Sequence, residues 1–329
     1  VLSLSGFKFS DDSGGLGSFL ASPVSDAVSH GDIGIVEGFS FRARGLGASF
    51  STDGFRTAGE PNTYNVERVG STRGPNAILF GAAQFGGTPV SVTKQALTTK
   101  TVRQSQLQFG SWNKARATID VNQPINEKAA VRVAGMIHQN ENTGRDRVYS
   151  ERWGIAPSIA FGLGTPTRIT LFSQHLFQDN RPDGGVTAIG LPGYRAVNPA
   201  AVTATRADSA NFYGLDSDFE DIGLNMVSAR VEHDLAPGVT LSNLSRYSRT
   251  TQDRILSAPL NAPVTSGDPS TWTVARSRQA SYRDNDLLSN QTNLRGSFLT
   301  GPLKHDYSGG IEVIQEGQYT PTWTVTVTD

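Results

Sequence analysis

Lys114-Ala115-Arg116-Ala117-Thr118-Ile119-Asp120-Val121-Asn122 alternates without a break. Ala115, Ala117, Ile119 and Val121 share one side of an extended chain, and Lys114, Arg116, Thr118, Asp120 and Asn122 share the other. Successive side chains of a strand point to opposite faces, so this period of two predicts a sheet with unlike faces. Val131, Val133, Gly135 and Ile137 repeat the scheme against Arg132, Ala134, Met136 and His138. So do Val227, Ala229 and Val231 against Ser228, Arg230, Glu232 and Asp234, and Tyr307, Gly309, Ile311 and Val313 against Lys304, Asp306, Ser308, Gly310 and Glu312.

Extending this reading after residue 100 predicts nine strands, near 101–110, 114–124, 128–140, 151–162, 167–178, 225–235, 239–250, 285–298 and 303–316. Their connections alternate in length. Those around Asn126-Glu127, Gly164-Thr165, Ala236-Pro237-Gly238 and Gly301-Pro302 are short, whereas 141–150, 179–224 and 251–284 are longer; Gly110-Ser111-Trp112 is short but falls on the long side. Alternation alone fits a soluble antiparallel sandwich as well as a barrel. Strands of 10 to 14 residues exceed the usual length of about 5 to 6 in globular sheets and match a tilted strand crossing a bilayer. Short turns on one side and long loops on the other describe an outer-membrane barrel.

Composition agrees. Glycine is 35 of 329 residues, which favours a turn-rich fold, and no run of about 18 apolar residues encodes a transmembrane helix. A net charge of -1 offers no basic face to nucleic acid. Without cysteine there is neither a disulfide nor a thiolate metal site, and the five histidines (His30, His138, His175, His233, His305) are too scattered to suggest a metal. No catalytic constellation is present: G-x-S-x-G, a metal-spaced His/Glu pair and a phosphate loop are all missing. Val1-Leu2-Ser3-Leu4 has neither an initiator Met nor a leader-like pattern, so a mature or truncated chain is expected. Residues 1–37 show no steady period and stay unassigned, with a composition that suits disorder.

Residues 38–100 are dense in glycine and short apolar pieces, as expected of short strands joined by tight turns. Four blocks stand here in order: Phe41-Arg42-Ala43-Arg44-Gly45; Phe50-Ser51-Thr52-Asp53-Gly54-Phe55-Arg56; Glu67-Arg68-Val69 with Arg73-Gly74-Pro75-Asn76-Ala77-Ile78-Leu79-Phe80-Gly81; and Gly86-Gly87 with Val92-Thr93-Lys94. In that order they resemble the plug domain of TonB-dependent outer-membrane receptors. Asn211-Phe212-Tyr213-Gly214-Leu215, and Val231-Glu232-His233-Asp234-Leu235 with Pro237-Gly238-Val239-Thr240-Leu241, look like the siderophore-receptor branch. Three departures are visible: Gly70-Ser71-Thr72 stands where the family has an apolar strand, Pro89 with Ser91 interrupts the strand before Val92, and the family's N-terminal TonB box and first plug strands are not recognisable, so coupling to TonB is implied by the family alone. Proline removes a ladder hydrogen bond, so a weakened plug sheet is expected. Pro75 suits the start of a short helix over 76–80.

The resemblance implies a mainly β chain: a partial plug over 38–100, then, over 101–329, about nine strands of an antiparallel transmembrane barrel. Plugged transporters have about 22 strands, and an open nine-strand sheet would leave two unpaired edges that a bilayer does not tolerate. A partial sequence is therefore expected. It also implies ferric siderophore uptake across the outer membrane of a Gram-negative bacterium, with no cofactor of its own because the iron travels inside the siderophore. Partners would be the siderophore, TonB, and outer-membrane lipid and lipopolysaccharide. Receptors for cobalamin or an oligosaccharide, and a soluble β-sheet binding module, are the competing readings.

On positions matching the family, Arg56, Ala58, Gly59 and Tyr64 would lie at the outward apex and touch ligand; a simple Arg56–Glu60 pair explains Arg56 equally well. Arg44, Gly45, Asp53, Gly54, Glu67, Arg68, Arg73, Gly74, Pro75, Gly81, Gly86 and Gly87 would hold the plug's structure. Loop charge leaves the substrate open: 179–224 carries three arginines against seven acids, and 251–284 four against three. Trp112 and Tyr149, beside strands, suit an interfacial girdle. For the strand at 114–124, Ala115, Ala117, Ile119 and Val121 should face lipid, with Arg116, Thr118 and Asp120 turned to the plug.

Overall fold

The computed structural model describes residues 3–4, 7–8, 41–43, 46–48, 51–56, 63–72, 88–142, 144–186, 208, 210–259, 271 and 273–321. Its largest unit is a nine-stranded antiparallel sheet in strict chain order. The strands are β9 (Val102–Phe109), β10 (Ala115–Asn126), β11 (Ala129–Glu141), β12 (Tyr149–Phe161), β13 (Thr167–Asn180), β14 (Phe219–Ala236), β15 (Val239–Pro259), β16 (Arg276–Thr300) and β17 (Leu303–Tyr319). The expected nine strands are present, each paired with its sequence neighbour, and the connections after β13 and β15 lie at the same end. At the other end Gly238 and Gly301 take φ of 78° and 60° in tight turns, a region that only glycine enters without steric cost.

β14, β15 and β16 run to 18, 21 and 25 residues, well beyond the sequence-based bounds. Part of what reads as loop in 179–224 and 251–284 is therefore strand. The added pieces, such as Thr251-Gln252-Asp253-Arg254 and Arg283-Asp284-Asn285-Asp286, are polar on both faces. One side is buried, with Gln252, Arg254 and Arg283 on it, and the other is open at Asp253, but polar side chains occupy both, so a hydrophobic period cannot reveal these strands.

The two faces of the sheet differ as the alternation requires. Ile119, Ile137 and Val227 are 50, 63 and 54% exposed on the outer face, while Asp120, Arg132, Ala134, Met136, His138 and Ser228 are buried on the inner one. β17 is exposed on both faces and, with β9, forms the sheet's edges.

Two small sheets accompany the large one. β1 (Ser3–Leu4), β2 (Phe7–Lys8), β3 (Phe41–Ala43) and β4 (Leu46–Ala48) pair in sequence order; the rest of 1–37 lies outside the described residues. The second sheet has the order β6-β5-β8-β7, with β5 (Ser51–Thr52), β6 (Phe55–Arg56), β7 (Val66–Thr72) and β8 (Thr88–Thr93), and a 3-10 turn, η1 (Thr63–Asn65), precedes β7.

The expected interruptions do not break this sheet. Gly70, Ser71 and Thr72 pair with Val90, Pro89 and Thr88. β5 reaches only Val90 and Ser91, so Pro89 has no partner strand on that side in which its missing N–H would leave a gap. Ser91 is buried, and its hydroxyl bonds the Thr52 hydroxyl and the Ser51 carbonyl. The expected helix at 76–80 lies outside the described residues.

Candidate functional site

Asp53 and Gly54, with φ of 54° and 96°, close the β5–β6 hairpin as an Asp-Gly turn favours. The turn places the Asp53 carboxylate inward, where it accepts from the Thr93 amide at 2.8 Å and the Thr93 hydroxyl at 2.9 Å. Arg246 of β15 donates to the same carboxylate at 2.9 Å and to the Thr52 carbonyl at 3.0 Å, while its Nε reaches the Ser228 hydroxyl. Its guanidinium lies 5.1 Å from the centre of the Phe55 ring, and Phe55 packs with Phe172 and Leu244. Both partners of this ion pair are buried, at 0 and 4% side-chain exposure. The hairpin is thereby fixed to the inner face of the large sheet.

A second attachment runs through Arg132. Its guanidinium makes two 2.8 Å bonds to Asp120, a third to Glu67 at 2.8 Å, and one to the Gln95 carbonyl at 3.1 Å. Lys94 completes the Asp120 side and Lys100 the Glu67 side, at 3.1 and 3.8 Å. Asn122 holds the chain that follows, accepting from the Leu97 amide and donating to the Leu97 and Lys100 carbonyls. Glu67 thus has the partners that a charge against the wall requires. Arg68 is exposed.

The third attachment is η1. Thr63 accepts from Arg116 at 3.0 Å, and Asn65 donates to Gln174 at 3.2 Å. Between them Tyr64 is only 3% exposed, packed with Ala134, Met136, Ala156 and Leu176, and its hydroxyl donates to the His175 carbonyl at 3.4 Å. Burial pushes the phenol pKa up. Gly154 makes the room: a Cβ there would lie 2.9 Å from the phenol oxygen. This corrects the sequence-based expectation of a ligand-facing phenol, because Tyr64 turns into the wall and leaves almost no surface to touch. Of the other apex residues, Arg56 ends β6 with its side chain outside the described set, as are Ala58, Gly59 and Glu60. Arg44, Gly45, Arg73, Gly74, Pro75, Gly81, Gly86 and Gly87 also lie outside the described residues.

Strand register identifies the wall next to Tyr64. One inner row beyond its contacts lie Arg116, His138, Arg152, Gln178, Ile222, Gln252 and Arg283, paired strand by strand. The following inner row holds Asn140, Ser150, Asn180, Glu220, Arg254 and Ser281. Two rows therefore carry four arginines against one carboxylate. That carboxylate, Glu220, is 1% exposed and accepts from Gln252 at 2.8 Å and Asn180 at 3.2 Å. Arg254, directly across from it and 7% exposed, has Nε and Nη1 without hydrogen-bond partners among the described residues. Such N–H groups hold an unmet demand for acceptors.

Toward the long connections, Arg145 grips Asp183 with two 2.6 Å bonds, and Asp218 accepts from Ser257. Sequence reading missed these wall residues as a set. Alternation marks their face, but only register aligns residues from seven strands. Among the described residues no group of three or more His, Cys, Asp or Glu could hold a metal ion.

No protein-family model matches the chain. It is 38% identical over 281 residues to the catecholate siderophore receptor Fiu of Escherichia coli K12, covering 82% of this chain and 37% of that protein. It is 31% identical over 288 residues to the probable TonB-dependent siderophore receptor PiuA of Acinetobacter baumannii, covering 86% of this chain and 37% of PiuA. The open-form crystal structure of Fiu superposes with a TM-score of 0.78 at 36% identity, over 87% of this chain and 45% of that one. The chain thus spans little more than a third of the length of these receptors.

Proposed function

The chain belongs to the TonB-dependent siderophore receptors, and from that premise we propose that the receptor it is part of carries a ferric catecholate siderophore across the outer membrane of a Gram-negative bacterium. In this reading 38–100 is plug, 101–329 is barrel wall, and TonB drives the plug's rearrangement. The observation that supports the substrate class is Arg254, whose buried Nε and Nη1 lack hydrogen-bond partners among the described residues, in a stretch of inner wall that also carries Arg116, Arg152 and Arg283. An anionic chelate would supply acceptors to those N–H groups, and a planar guanidinium fork suits the paired oxygens of catecholate. Arg56, Ala58 and Gly59 would add ligand contacts, as the family resemblance implies. Iron enters as cargo within the chelate.

The test is a titration of the purified full-length receptor with the ferric complex of 2,3-dihydroxybenzoate. Arg254→Gln and Arg56→Ala should each weaken binding about tenfold or more, since a charged hydrogen bond is worth about 1.5 to 3 kcal/mol. Unchanged affinity in both variants would remove the catecholate reading.

A further inference from the structure

The outer face carries a trough of about 920 Å³ running across the strands from β9 toward β16. At its lower end it is apolar and aromatic: Leu107, Phe109, Ile137, Trp153 and Phe177 line it, and the Trp153 and Phe177 rings stack with centroids 4.6 Å apart. Along its upper side Glu151, Asp179, Asp221 and Asp253 stand directly opposite one another on successive strands, all exposed. Strand neighbours lie about 4.8 Å apart, and like charges placed directly opposite destabilise a sheet.

The trough is oblique to the membrane. Ile137 and Trp153 stand eight residues from the short-turn ends of their strands at Ala129 and Phe161, whereas Asp179, Asp253 and Asp221 stand 12, 14 and 15 residues from Thr167, Val239 and Ala236. At about 3.3 Å per residue and a tilt of about 40°, the aromatic end is about 20 Å above the turns and the acidic end about 30 to 38 Å. An outward apolar band is about 25 Å tall. The aromatic end therefore lies inside the band and the acidic end in the head-group layer.

We propose that this trough binds an amphiphile of the outer leaflet that has an apolar chain and an ammonium head group. The chain lies over Ile137, Trp153 and Phe177, and the ammonium is shared among Asp179, Asp221 and Asp253. Charge complementarity selects the occupant: a row of carboxylates repels phosphate and attracts a cation, and aromatic faces beside it tolerate an ammonium. The inference rests on the membrane reading above and concerns the outer face of the sheet, opposite the rows that carry Arg116, Arg152, Arg254 and Arg283.

The test reconstitutes the full-length receptor in phosphatidylcholine vesicles containing a trace of spin-labelled lipid with an ammonium, phosphocholine or phosphoglycerol head group. Electron paramagnetic resonance then gives the motionally restricted fraction of each. The ammonium lipid should associate about threefold to tenfold more strongly than phosphocholine, less so at high salt. In Asp179→Asn/Asp221→Asn/Asp253→Asn, which keeps side-chain shape, that preference should vanish while the total restricted fraction stays. Restricted lipid with no head-group preference in the wild type, or a preference the triple variant keeps, overturns the proposal. A preference for phosphoglycerol that appears only with magnesium also overturns it, assigning the row to a bridging divalent cation. No restricted lipid of any kind would instead sink the membrane reading itself.

Discussion

Removing the Asp53 carboxylate should release the β5–β6 hairpin from the wall without unfolding the large sheet. In Asp53→Ala the Arg246 guanidinium, 4% exposed, keeps, among the described residues, the Thr52 carbonyl, the Ser228 hydroxyl and the Phe55 face. Breaking one side of a buried ion pair costs about 3 to 5 kcal/mol, mostly as the penalty of the charge left behind. The Thr93 amide and hydroxyl lose their acceptor as well, and alanine tolerates the φ of 54° at this position less well than aspartate. Amide hydrogen exchange in the full-length receptor reads the effect. Protection over Ser51–Thr52 and at Thr93 should fall by about two to three and a half powers of ten, while protection in β10 to β13 stays at the wild-type level. Asp53→Ala/Arg246→Met removes the stranded charge and should recover much of the loss. Wild-type protection in Asp53→Ala, or a double variant in which the two losses simply add, would refute the claim that this pair holds the hairpin.

Four further outcomes follow from the same geometry. Tyr64→Phe should be nearly silent, because a 3.4 Å bond contributes at most about 1 kcal/mol, whereas Tyr64→Ala should cost about 3 to 5 kcal/mol of plug seating through the cavity it leaves; urea titration followed by plug proteolysis distinguishes the two. Gly154→Val brings a Cβ to 2.9 Å from the Tyr64 oxygen and should cost about 1 to 3 kcal/mol by overpacking, an effect that Tyr64→Ala should suppress in the same titration. Arg132→Gln should loosen the 94–100 segment, seen as faster exchange of the Ala96 and Leu97 amides. Spin labels at Ala117 and Thr118 should differ in collision with a lipid-soluble quencher, label 117 being accessible and label 118 protected; equal accessibility would reject the facing of β10.

Ala115 to Val121 shows why the sheet was legible from sequence. A strand between lipid and a polar interior imposes its two environments on alternate residues, so the nine strands, their order and their facing are written locally. The same reasoning explains where the reading stopped. The added lengths of β15 and β16 bury one side and expose the other, but carry polar residues on both, so they show no hydrophobic period. Asp53-Gly54 was legible as a turn, but not its grip on Arg246, which lies 193 residues further along. Arg132 was legible as inward-facing, but its choice of Asp120 and Glu67 depends on which charges the tertiary fold brings within 3 Å. Tyr64 shows the limit most plainly. As a phenol beside a family apex it suits ligand contact, and only the pocket formed by Gly154, Met136 and Leu176 from three strands turns it into an anchor. The sequence by itself determined strands, faces and order, because alternation is a local response to a two-sided environment. The tertiary structure alone decided the anchoring pairs and the alignment of the arginines, because those depend on strand register and on contacts between residues far apart in the chain.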